Sequence, residues 1–161
     1  MALSAYLKLR STVQGDILGS VTRAGHEGKI EIIAVNHGLT SQRDLGTGQA
    51  RGKREHKPIQ ITKEVDRSTP RLYQALTRNE LISEAVLEFY RPGQSAQEEQ
   101  YYKVEFWNVL VSAIDFTMPN NREPDLESRE SYEVVAFVYQ KIRWTWTDGS
   151  VVAEDDWATH T

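Results

Sequence analysis

The sequence has no cysteine. That excludes disulfides, thiolate nucleophiles and thiolate metal sites together, so stability has to come from packing and backbone pairing. It also lacks any apolar run approaching the ~20 residues that a membrane span needs, and MALSAYLKLRSTVQGD at the start has no basic region followed by a long apolar segment. Stable membrane insertion is therefore not expected, and the protein is expected to begin in the cytoplasm without a cleaved signal peptide. At 161 residues it fits one domain, 1–161, and at that size roughly two-thirds of the unfolded chain's surface can be buried.

Charge is unevenly placed. The net value is −4, yet residues 1–80 carry 13 Lys and Arg against 8 Asp and Glu, and residues 81–161 carry 6 against 15. Oppositely charged surfaces on one molecule favour head-to-tail contacts between copies, which close into rings or continue as filaments according to the rotation they impose. Separately solvated surfaces would give the same composition.

Apolar and polar residues alternate through most of the chain. AYLKLR (5–10), GDILGS (15–20), KIEIIAV (29–35), KPIQITKEV (57–65), EAVLEFYR (84–91) and QYYKVEFWNVLVSAIDF (100–116) read as strands. ESYEVVAFVYQKIRWTWTDG (130–149) alternates for so long that it is expected to bend or to serve two sheets. A glycine-rich stretch at about 38–57 has no apolar period and reads as a long mobile loop, and 150–161 reads as an acidic tail. Against this pattern KEVDRSTPRLYQAL (63–76) carries a helix start. Thr69 is expected as N-cap and Pro70 as first helical residue, giving a helix over about 70–79. Leu72, Ala75 and Leu76 form its apolar face, which Tyr73 and Leu81 extend. The chain thus reads as mainly β: a small antiparallel β-barrel or two-sheet sandwich with one short flanking helix.

Chemical motifs are scarce. GTGQARGK (46–53) imitates a phosphate-binding loop, but Thr47 stands where its first glycine belongs and Arg54 follows Lys53 where Ser or Thr is required. Arg43, Arg51, Lys53, Arg54 and Lys57 give the loop at 43–57 a basic character that suits nucleic acid, another ligand or an acidic protein surface. No aromatic residue lies among them to stack a base. EDDWATH (154–160) gathers Glu154, Asp155, Asp156 and His160, without a second ligand cluster to make a metal site. His26, His37 and His56 stand without a Ser/Asp pattern, and Trp107, Trp144, Trp146 and Trp157 fit core or subunit contacts. Nothing points to catalysis, a cofactor or a metal.

HKPIQITKEVDRSTPRLYQAL (56–76), AYLKL near the start, HEGKIEIIAVNHG (26–38), LEFYR, YYKVEFWNVLVSAIDF and ESYEVVAFVYQKIRWTWTDG together resemble, in order, the haemolysin-coregulated protein (Hcp) family of the bacterial type VI secretion system. The resemblance implies a non-enzymatic, phage tail-tube-like subunit that forms hexameric rings, stacks them into a tube and is expelled by sheath contraction. It further implies the sheath proteins, the VgrG spike and small effectors held in the ring lumen as partners, with no nucleic acid. Some members carry a toxin domain after the tube domain; none is expected here. In the family the long early loop reaches a neighbouring ring or subunit. Arg43, Arg51, Lys53 and Arg54 are expected as its contacts, with Glu154, Asp155 and Asp156 as acceptors. The alternative is a nucleic-acid- or ligand-binding β-barrel that uses the basic loop.

Overall fold

A computed structural model describes residues 3–159. His160, grouped above with the acidic residues, lies outside them. In chain order the elements are β1 (Ser4–Ser11), β2 (Gly15–Ile17), β3 (Ile30–Ile32), β4 (Ala34–Asn36), β5 (Leu39–Thr40), β6 (Glu55–His56), β7 (Ile59–Glu64), α1 (Thr69–Thr77), β8 (Ile82–Pro92), β9 (Glu98–Thr117), β10 (Tyr132–Val138), β11 (Lys141–Trp146) and β12 (Val151–Asp156). All strand pairs are antiparallel.

The spine is β9. Its 20 residues would reach about 65–70 Å if straight, more than a domain of this size can hold, so the strand has to bend. It does so near Asn108, whose φ of 53° lies in the left-handed region that few side chains other than Asn tolerate. Before the bend, β9 pairs with β8 on one side and β11 on the other; after it, with β10. The run 130–149 breaks in step with it at Tyr139 and Gln140. Its first half joins β9 and β7, its second joins β9 and β12, and the Gln140 N–H donates to the Trp107 carbonyl at 3.1 Å. The expected division between two sheets is met by a break, not by one continuous strand.

The sheets do not form one closed ladder. Their other ends are joined through the chain at Ile33, because β3 pairs with β1 and β4 pairs with β7. Between them lies an apolar core in which Leu7, Ile30, Ile61, Phe106, Val135, Phe137 and Ile142 are fully buried. Such residues supply most of the folding free energy, at about 25 cal/mol per Å² removed from water.

Two expectations change locally. Residues 150–161 are not simply a tail, since Val151–Asp156 pair in register with β11, from Lys141 opposite Asp156 to Trp146 opposite Val151. Gly149 (φ 80°) and Ser150 (φ 51°) make the reversal between β11 and β12. The helix also starts one residue early: Ser68 occupies the cap position and Thr69 is helical. The Thr69 hydroxyl is drawn elsewhere, donating to Glu133 Oε1 at 2.9 Å and accepting from Lys63 Nζ at 3.1 Å.

Thr69 thereby ties the helix start to a buried ion pair. Lys63 and Glu133 face each other across β7 and β10 at 2.6 Å, both at 0% exposure, with Asp66 adding a second carboxylate 3.0 Å from Lys63. A buried charge persists only when paired and hydrogen-bonded, and the TKEVDRST segment wraps the pair to provide this. Leu72 and Ala75 of α1 are buried, while Tyr73 and Leu81 are about as exposed as each other and face solvent.

Lys63→Met strands the Glu133 carboxylate and is expected to cost about 3–5 kcal/mol in urea unfolding. The double variant Lys63→Met/Glu133→Leu should recover most of that loss; equal stability of the single variant and the parent would refute the assignment.

Candidate assembly site

Residues 38–57, expected as a loop, build a hairpin. Leu39 pairs with His56 and Thr40 with Glu55, the Lys57 N–H donates to the Gly38 carbonyl at 3.1 Å, and a further bridge joins Arg43 to Ala50. At the tip the Asp44 carboxylate accepts the N–H groups of Gly46 (2.8 Å) and Thr47 (3.1 Å). Such an Asx arrangement replaces water at backbone donors and fixes a turn. Leu45, on that turn, is fully exposed.

At the base the hairpin is tied to β12. Arg54 Nε and Nη2 donate to the two carboxylate oxygens of Asp155 at 2.6 and 2.7 Å, and Nη2 also reaches the carbonyls of Asp156 (2.9 Å) and Thr159 (3.2 Å). This two-pronged geometry is the strongest form of surface ion pair. His56 Nε2 lies 2.6 Å from Asp155 Oδ2, His56 Nδ1 lies 2.8 Å from the Tyr139 hydroxyl, and that hydroxyl lies 2.9 Å from His37 Nε2. A carboxylate accepts only and a phenol has one proton, so with both imidazoles neutral one ordering satisfies every contact. His37 Nε2–H donates to Tyr139, whose O–H donates to His56 Nδ1, and His56 Nε2–H donates to Asp155. Trp144 stacks beside His37 with ring centroids 6.3 Å apart.

The electrostatics favour a lock over a catalyst. Hydrogen bonds from Arg54 hold the Asp155 carboxyl below its ordinary value, and His56 adds to this. The same contact with Asp155 raises Arg54. Burial, and after it the Asp155 charge, pushes the Tyr139 phenol up, the reverse of what an activated nucleophile requires. Burial lowers His37, and the neighbouring His56 lowers it further.

Of the expected contact residues, Arg43 and Arg51 stand exposed on the hairpin, Lys53 lies 5.5 Å over the Trp157 ring, and Arg54 is committed to Asp155. Glu154 pairs with Arg143 at 3.0 Å, and Asp156 accepts the Ala158 N–H at 2.9 Å. Arg54 and Asp155, each expected among the contacts between subunits, are bonded to each other inside one chain. The cause is β12, which carries Asp155 to the hairpin base. His37, Tyr139 and Trp144 were not singled out together, because no spacing in the sequence marks residues that β4, β10 and β11 bring together. His26 belongs elsewhere, stacked on Tyr6 at 4.2 Å. Among the described residues no group of three His, Cys, Asp or Glu is placed to hold a metal, and no helix is long and apolar enough to cross a membrane.

The family model for "Type VI secretion system effector, Hcp" matches residues 6–146. The chain belongs to the Hcp family. Consistent with this, it is 32% identical over 166 residues to the major exported protein of Pseudomonas aeruginosa, covering 98% of this chain and 96% of that one. Among solved structures, an Hcp protein crystal structure superposes with a TM-score of 0.91 at 28% identity, over 99% of this chain and 100% of the other. A mutant form of Hcp1 from the E. coli EAEC 042 pathovar gives 0.85 at 34% identity, over 97% and 99%. Hcp is a structural family of type VI secretion and not an enzyme family.

Acid is expected to loosen the anchor in two steps. A His37 held below its ordinary 6.5 contributes stability that is present above pH 6.5 and lost as pH falls from there through its folded value. Asp155, held below 3.8, contributes stability present above that value and lost as pH falls through its own lowered one. Melting temperatures measured from pH 7.5 to 3 should show both losses, with His37→Gln removing the upper and Asp155→Asn the lower. A pH profile unchanged by both variants would sink the assignment.

Proposed function

We propose that the protein is the ring-forming subunit of a type VI inner tube: hexameric rings stack into a tube, sheath contraction expels it behind a VgrG spike, and small effectors travel in the lumen. On this reading the protein waits in the cytoplasm and leaves without a cleaved signal peptide. The observation that carries the reading is a sheet with unlike free edges. Among the described residues β12 bonds only to β11 and β2 only to β1; β3 and β4 also have one strand partner each, and they follow each other through Ile33. Open edges are pairing templates, and two that differ favour heterologous contacts, which close into a ring when the rotation allows. The exposed Tyr73 and Leu81 beside α1 give a further, non-sheet face to one flank.

In this assembly Glu154 and Asp156 lie on the β12 edge as side-to-side contacts, and Arg43, Arg51 and Lys53 project from the hairpin as contacts along the tube. Arg54 and Asp155 act indirectly, by holding the hairpin in place. The nucleic-acid alternative loses ground because two of the loop's cations, Arg54 and Lys53, are already engaged by Asp155 and Trp157.

Light scattering on the purified protein is expected to give the mass of a six-subunit ring, with annular particles in electron micrographs of the same peak. A strict monomer over a wide concentration range would overturn the ring. Duplex or single-stranded binding that weakens steeply with salt would restore the alternative.

A further inference from the structure

Between the two sheets, at the end where β8 finishes and β9 begins, lies a hollow of about 360 Å³. Two rows of paired residues build one wall. Leu87, Val104 and Trp144 stand opposite one another across β8, β9 and β11, and in the next row Phe89 stands opposite Tyr102. Ile59 of β7 and Val35 of β4 line it from the facing sheet. Strict alternation would turn Tyr101 away from Tyr102, but β9 carries an extra residue here. Phe89 pairs with Tyr102 and Tyr90 with Gln100, so Tyr101 has no partner of its own, and it lines the hollow beside Tyr102. Bulges re-aim side chains in this way at barrel rims and at binding sites.

The polar atoms around the hollow are unspent. His37, which also lines it, uses Nε2–H on the Tyr139 hydroxyl, and this leaves Nδ1 as an acceptor. Neither Nδ1, nor the Tyr101 and Tyr102 hydroxyls, nor the Trp144 indole N–H has a hydrogen-bond partner among the described residues. No Lys, Arg, Asp or Glu is among the lining residues. Burial lowers His37 and raises the Tyr102 phenol, so both keep their neutral form at neutral pH.

We propose that this hollow binds a small, uncharged, planar aromatic molecule whose ring N–H or O–H donates to His37 Nδ1. Small-ligand sites have volumes of roughly 300–1,000 Å³, are mostly apolar and carry a few polar groups that fix orientation. Two ring pairs, Phe89 with Tyr102 (centroids 5.5 Å apart) and His37 with Trp144 (6.3 Å), supply aromatic surface for offset stacking. A charged ligand would give up its hydration with no opposite charge to replace it. The donor to Nδ1 also extends the chain from His37 through Tyr139 and His56 to Asp155, so an occupant holds His37 neutral. The site is complete within one chain, and it does not rest on the tube reading.

Indole is the probe. In NMR titrations at pH 7.5 it is expected to bind once per chain with a Kd of roughly 0.1–1 mM, with intermolecular NOEs to the Leu87 and Val104 methyl groups. 1-Methylindole, which lacks the N–H, should bind severalfold more weakly, and the anionic indole-3-acetate tenfold or more. His37→Phe keeps a ring in place and should erase the preference for indole over 1-methylindole. Val35→Trp fills the hollow and should abolish binding. Saturating indole should move the His37 titration to lower pH. No saturable binding up to the solubility of indole, NOEs only to residues outside the hollow, or equal affinity for indole-3-acetate would overturn the site. The NOEs and the comparison of ligands are read on the unaltered protein, so they decide the matter even if a variant fails to fold.

Discussion

Backbone pairing along β9 is the constraint on which the rest of this structure depends. A strand of 20 residues has more N–H and C=O groups than one partner can satisfy, and buried groups left unpaired are costly. The chain answers by giving its first part to β8 and β11 and its second to β10. The bend at Asn108 and the break at Tyr139–Gln140 follow from that division, because each side of the junction has to turn where its neighbour turns. Tyr139 is placed at this corner, and only there can its hydroxyl meet His37 and His56 together.

Two polar clusters then fix the pieces that pairing leaves free. The buried Lys63–Glu133 pair, enclosed by Asp66 and Thr69, seats α1 on the sheet. The Arg54–Asp155 pair, continued through His56, Tyr139 and His37, seats the hairpin on β12. Both join elements far apart in sequence and supply hydrogen bonds to buried polar groups, with Glu133 Oε2 alone in the first cluster left without a partner among the described residues. They differ in exposure. The first is sealed from solvent, so its charges have no alternative partner; the second is half open, and acid can reach it.

This placement separates two kinds of surface. The outer edges of β12 and β2 carry backbone groups with no strand partner among the described residues, whereas the hairpin tip presents the exposed Leu45 between Arg43 and Arg51. Part of the charge division between the two halves of the chain, Arg54 with Asp155, is satisfied within the fold.

The sequence by itself determined the mainly β class, most strand positions, the short helix and the family, because period-two alternation, the Ser-Thr-Pro helix start and a long run of matching motifs are local signals. It also marked Arg43, Arg51 and Lys53 as exposed cations. It did not reveal β12, because the Asp148–Gly149–Ser150 reversal reads as a terminus and the acidic residues that follow have low strand propensity. It grouped Arg54 with the loop cations and Asp155 with the acidic residues, but gave no sign that β12 brings these two together within one chain. Only the tertiary structure decided that pairing and the cluster around Tyr139. Each depends on which strands lie side by side, and strand adjacency is set by the global division of β9's hydrogen bonds, not by any window of residues around the site.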